Sequence, residues 1–174
     1  GISEMSVLRT PLHERSAVET CVCRRDDALT LRAIEAELER GGQVLYVVAR
    51  AADVASEVEL LRSHLPDTSV DYAFAGLSDA DRRINDFCLG KTSVLVATTV
   101  VECGIDIARL NTIIIQDADR FGLAQLHQLR GRAGRSSLHA YAFLMHSGDA
   151  SERLHFVGEN SHLGAGFEIA QRDL

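Results

Sequence analysis

Two guanidinium groups three residues apart, Arg132 and Arg135, close the run Gln125-Leu126-His127-Gln128-Leu129-Arg130-Gly131-Arg132-Ala133-Gly134-Arg135. On a helical turn that spacing projects both side chains to one side, and the glycines between them keep the surrounding surface clear. Fork-shaped, permanently charged donors on one face suit a polyanion. The γ-phosphate of ATP rewards them most, because negative charge spreads over its oxygens in the transition state. A plainer reading of the same residues is an exposed basic helix end. Another is a docking patch for an acidic partner or nucleic acid.

A second segment, Thr98-Thr99-Val100-Val101-Glu102-Cys103-Gly104-Ile105-Asp106-Ile107, follows an apolar run that reads as a core strand. A loop in that position lies at the carboxyl edge of a sheet, where open α/β proteins bind ligands. Hydroxyls and amides at such a strand end can grip phosphate oxygens, Gly104 permits close backbone approach, and Asp106 can accept hydrogen bonds from a ribose hydroxyl. Taken alone the segment is also an ordinary strand-to-helix loop. The arginine turn is expected to face the same carboxyl edge.

Other candidates fail on their context. Gly90-Lys91-Thr92 resembles the end of a phosphate-binding loop, but Asn85 stands where that loop needs glycine, and the segment precedes a strand rather than following one. Gly164-Ala165-Gly166 lacks the third glycine of a dinucleotide fingerprint and follows no strand. Cys21, Cys23, Cys88 and Cys103 show neither paired ligand spacing nor disulfide density, so reduced cysteines in a cytosolic setting are expected, with no metal site.

The elements that must hold these residues follow from periodicity. Short β-branched runs alternate with segments of helical spacing, the pattern of a parallel sheet covered on both faces. Strands are expected near Val18 to Cys23, Gln43 to Val48, Val70 to Phe74, Val94 to Thr98, Thr112 to Gln116 and Ala140 to Met145. Helices are expected from about Leu31 to Leu38, Ala52 to His64, Ser78 to Leu89, Leu123 to Arg130 and Ser151 to Ser161. Ser78 and Asp81 read as a capping arrangement. Residues 1–16 read as an extended lead-in, residues 17–148 as one domain, and residues 149–174 as the start of a further element. At 174 residues and 46% hydrophobic content the chain has material for one well-filled core. No apolar run approaches a membrane span, and a cytoplasmic protein is expected. The net charge of −7 argues against binding nucleic acid by bulk charge. Its distribution is uneven, since residues 120–148 hold Arg120, Arg130, Arg132 and Arg135 and no acidic residue.

The order of these segments, from Gln43-Val44-Leu45-Tyr46 through residues 98–107 and Asn111-Thr112-Ile113-Ile114-Ile115 to Asp119-Arg120-Phe121-Gly122-Leu123-Ala124 and the arginine run, resembles motifs four, five and six of superfamily-two helicases. Within them it resembles the group of double-stranded-DNA translocases that includes the transcription-repair coupling factors and RecG. The tail Leu163-Gly164-Ala165-Gly166-Phe167-Glu168-Ile169-Ala170 is similar to the coupling-factor branch. The chain departs from the usual pattern at Ala49, Ala75, Cys103 and Ala108.

This resemblance implies the second RecA-like α/β lobe of an ATP-driven motor, inactive alone because the phosphate loop and the magnesium-binding acids belong to a first motor lobe. It implies that Gln128, Arg132 and Arg135 face ATP held with Mg2+ on that lobe, with Gly104 and Asp106 at the same cleft. Thr98, Thr99, Arg50 and Gly76 are implied to contact double-stranded DNA. RNA polymerase and excision-repair proteins are implied partners through other domains, or, on a RecG-like reading, stalled forks are the substrate.

Overall fold

Six short apolar runs become six strands of one sheet in the structure, a computed structural model that describes residues 18–99, 109–134 and 139–148. In chain order the elements are β1 (Val18–Arg24), α1 (Asp27–Glu39), β2 (Gln43–Val47), α2 (Val54–His64), β3 (Val70–Ala73), α3 (Ala80–Cys88), β4 (Val94–Ala97), β5 (Leu110–Ile115), α4 (Leu123–Arg130) and β6 (Ala140–His146). Single 3₁₀ turns cover Ala51–Asp53 and Ala118–Arg120. The strand order is β1-β6-β5-β2-β4-β3, and every neighbouring pair runs parallel.

Central strands buried on both faces cannot alternate polar with apolar residues, and here they do not. All residues of β2, β4 and β5 are buried. Leu45, Val47, Leu95, Ala97, Ile113 and Ile115 pack under α3 and α4 through Phe87, Leu126 and Leu129. Val44, Tyr46, Val94, Val96 and Ile114 pack on the other face under α1 and α2 through Ile34, Val58 and Leu61.

The helix ends follow local chemistry. Leu29 N donates to the Asp26 carboxylate at 3.0 Å, which caps α1. Gly41 takes the left-handed conformation that stops it. The cap expected from Ser78 is not made: α3 begins at Ala80, no side chain caps its start, and the Asp79 carboxylate is held instead by Arg82 and Arg83 at 2.8 and 3.0 Å. The 3₁₀ turn at Ala51–Asp53 delays α2 to Val54, two residues later than its periodicity suggests. Conversely, β5 begins at Leu110 rather than Thr112 because Leu110 pairs with Gln43 across a register shift. The lead-in 1–16, the helix expected from Ser151 to Ser161 and the element from 149 onward lie outside the described residues. No helix among the described residues is long and apolar enough to cross a membrane.

Phe87 is fully buried beneath α3. Phe87→Ala is expected to cost about 3–5 kcal/mol, by transfer and cavity terms together, read as a lower urea midpoint with unchanged m value. A loss below about 1 kcal/mol would mean that α3 is not seated as described.

Candidate functional site

In a parallel sheet the segments that follow strands collect at one edge and those that precede strands collect at the other. Thr98 and Thr99 follow β4, Arg50 follows β2 and Gly76 follows β3, so these four expected contact residues share the carboxyl edge. Thr98 N donates at 3.3 Å to the carbonyl oxygen of Ala73, the last residue of β3, extending the ladder one residue past the end of β4. This leaves the Thr98 side chain buried while Thr99 is half-exposed. Gly76 is exposed with φ of +95°, and a Cβ there would meet nothing within 4 Å. Glycine is therefore set by the backbone conformation of the turn, not by crowding from the protein. Arg50 is exposed, and its guanidinium is engaged by the Asp53 carboxylate through bonds of 3.1 and 3.2 Å.

The arginine turn lies elsewhere. Helix α4 runs back across the sheet after β5, starting where Gly122 N donates to Gln125 Oε1 at 3.0 Å. Its end tightens through Arg132 N to Leu129 O at 3.0 Å and Ala133 N to Arg130 O at 3.2 Å. Gly134 then adopts φ of +84°, and its N–H donates to Leu110 O at 3.2 Å. Leu110 is the first residue of β5, so Arg132 stands at the amino edge and not, as expected from sequence, at the carboxyl edge. The reason is topological: one helix returns the chain to the end from which the next parallel strand must start.

Gln128 is exposed on the last turn of α4, and Arg132 is half-buried in the turn that follows the helix. Arg130, the third cation of the run, is turned inward. Its guanidinium meets His127 Nδ1 at 3.2 Å, and burial holds its pKa below the usual arginine range. Gly104, Asp106 and Arg135 lie outside the described residues. The chain re-enters the described structure at Arg109, beside the Leu110 carbonyl that receives Gly134. Across β5 the two edges stand on the order of 20 Å apart, at about 3.3 Å per residue.

Beneath the carboxyl edge lies a polar cluster that sequence reading missed. Arg25 donates to both Glu57 oxygens at 2.7 and 3.1 Å, the Tyr46 hydroxyl donates to Glu57, and Gln116 Nε2 donates to the Tyr46 oxygen at 2.9 Å. It ties the end of β1, helix α2, β2 and the end of β5 together. Burial, followed by the charge of Glu57, pushes the Tyr46 phenol above its ordinary range. Burial opposes the Arg25 charge, but the bond to Glu57, the negative charge at Tyr46 and Glu57 and the bond to Asp27 together outweigh it and raise the pKa. The available signal was Glu57 itself, an acid among Val54, Val58 and Leu61 on the buried stripe of α2. Among the described residues no group of three His, Cys, Asp or Glu side chains converges as a metal ion requires.

Residues 27–137 match the family described as the helicase conserved C-terminal domain. Over its full length the chain is 41% identical to the transcription-repair-coupling factor of Bacillus subtilis and 40% identical to that of Staphylococcus haemolyticus. It spans 16% of the length of each. Among solved structures it is similar to RecG bound to a three-way DNA junction, with a TM-score of 0.70 and 33% identity over 91% of this chain and 22% of that one. It is also similar to the helicase Lhr of Mycobacterium smegmatis, with a TM-score of 0.58 and 17% identity over 75% of this chain and 20% of that one, a likeness of fold alone.

Because the Tyr46 phenol titrates higher when folded than when unfolded, its contribution to stability is complete below about pH 10 and is lost as pH rises toward the folded pKa. The urea midpoint is therefore expected to fall between about pH 9 and 11, and to fall less in Tyr46→Phe. Equal alkaline losses in the two proteins would contradict this placement of the phenol.

Proposed function

Since this chain belongs to the family of helicase conserved C-terminal domains, we propose that it is the second motor lobe of an ATP-dependent double-stranded-DNA translocase of the transcription-repair coupling type. In the longer protein it closes against a first lobe that carries the phosphate loop, and ATP is hydrolysed in the cleft between them. The parent acts on stalled RNA polymerase and hands the site to excision-repair proteins through its other domains.

The observation that carries this reading is the hydrogen bond from Gly134 to Leu110. It brings Arg132 to the edge where the chain leaves the segment containing Gly104 and Asp106, and it leaves Thr98 and Thr99 on the opposite edge. On this reading the amino edge meets the nucleotide and the carboxyl edge meets the duplex. Arg132 and Arg135 donate to the γ-phosphoryl oxygens as charge spreads over them. Gln128 orients that end of the substrate, and Asp106 accepts from the ribose.

A cationic turn fits the phosphate end of ATP but offers magnesium no carboxylates, so the metal is assigned to acids of the first lobe. Bound there, it would supply charge neutralisation to the phosphates. Closure of the cleft then shifts the grip of the strand end at Thr98 and Thr99, with Arg50 and the turn at Gly76 flanking it, along the DNA backbone. The 33% identity to RecG supports a second reading, in which the parent remodels stalled forks. Displacement of a stalled RNA polymerase by the full-length protein separates the two.

In the full-length protein Arg132→Ala is expected to cut ATP turnover by about a thousandfold or more, the scale of an arginine finger. The melting temperature should be nearly unchanged. Turnover within a few-fold of the parent protein would overturn the assignment.

A further inference from the structure

The carboxyl edge presents more than the four residues that sequence singled out, and the state of each cation there differs. Arg25, after β1, is held by Glu57 and Asp27 at 2.7 and 3.0 Å. Arg50, after β2, is held by Asp53 at 3.1 Å. Arg120, after β5, ends the 3₁₀ turn Ala118–Arg120. It is exposed and, among the described residues, makes no ion pair, side-chain hydrogen bond or aromatic contact.

Its position is nevertheless fixed. Asp117 adopts a left-handed φ of 51°, an uncommon conformation for a residue with a side chain. The backbone N–H groups of Arg120 and Phe121 then donate to Asp117 O and Ala118 O at 2.9 and 3.1 Å. Ala118 and Phe121 are both buried in the core under α4. These anchors hold the backbone on either side of Arg120 while its guanidinium faces solvent uncommitted. Gln116, at the start of the same turn, is buried and bonded to Tyr46, so the cluster around Glu57 braces the turn from below.

Strand β5 neighbours β2, and β2 neighbours β4. The ends of these strands carry, in spatial order, Arg120, Arg50 and the pair Thr98 and Thr99. Adjacent strands lie about 4.8 Å apart, and the turn that carries Arg120 packs against β6, beyond β5, so this row extends roughly three strand spacings, about 14 Å, along the edge, the reach of a few phosphates of one nucleic-acid strand.

We propose that Arg120 is a DNA-backbone contact of this lobe, its guanidinium taking a phosphate oxygen further along the strand gripped at Thr98 and Thr99. This rests on the carboxyl edge facing the duplex. A free guanidinium on a braced turn needs neither release from a carboxylate nor ordering of the backbone before it binds, whereas Arg50 must first leave Asp53 or bind with its charge largely compensated. The contact is to phosphate, so it adds affinity without sequence preference.

The test uses the full-length protein and a blunt duplex of arbitrary sequence, with binding read by fluorescence anisotropy across a salt series. Arg120→Ala is expected to weaken binding on the order of tenfold at low salt and to reduce the slope of log affinity against log salt by about one. Arg120→Lys should restore most of the slope, because it restores the charge. DNA-independent ATP turnover should not change, which separates this role from loss of fold. An unchanged slope in Arg120→Ala, with the parent protein binding duplex normally, would overturn this inference alone. No duplex binding by the parent protein would overturn the reading of the edge itself.

Discussion

One-way crossing of a parallel sheet is the constraint on which the rest of this structure depends. Each of the six strands runs in the same direction, so everything that follows a strand is delivered to one edge and everything that precedes a strand to the other. Residues adjacent in the motif order of the sequence are thereby sorted into two groups separated by the length of a strand. Thr98 and the arginine turn have only β5 and α4 described between them, yet they end on opposite edges. A single backbone hydrogen bond, from Gly134 to Leu110, fixes the second group, and it requires the left-handed backbone that glycine adopts at little cost.

That separation matters for a motor because nucleotide and track can then be bound by one rigid body at two places. On the proposed function, a shift of the lobe that follows phosphate chemistry at one edge would move the other edge as a unit, without any flexible relay between them. The buried cluster of Arg25, Glu57, Tyr46 and Gln116 stiffens the edge assigned to DNA, where four elements meet. An apolar core would pack this region as well. A buried carboxylate with two donors also fixes the relative positions of those elements, because any displacement leaves a charge unpaired.

Most of the fold was legible because central strands in a parallel sheet must be apolar throughout. Runs such as Val94-Leu95-Val96-Ala97 and Ile113-Ile114-Ile115 have no other good home. What escaped was non-local. The bonds from Glu57 to Tyr46 and to Arg25 join residues 11 and 32 positions apart, and that from Gln116 to Tyr46 spans 70. No window of periodicity contains them. The cap expected at Ser78 lost to Asp79, whose carboxylate found two arginines one turn ahead. Arg130 read as part of an exposed cationic run, but the helical repeat that exposes Gln128 turns Arg130 inward against His127. The resemblance singled out Arg50, whereas Arg120 read only as one member of a basic stretch, and it is Arg50 that Asp53 engages. The edge reached by Arg132 was misjudged because strand direction was assigned to the loop after β4 but not carried through α4.

Hydrogen exchange on the full-length protein, with a non-hydrolysable ATP analogue and a DNA duplex added separately, tests the two-edge account most directly. The nucleotide is expected to protect amides around Arg109 to Asn111 and Arg132 to Gly134. Duplex alone should protect those around Val48 to Arg50, Thr98 to Thr99 and Gln116 to Arg120. Protection of the same edge by both ligands, or of the carboxyl edge by nucleotide alone, would contradict the account.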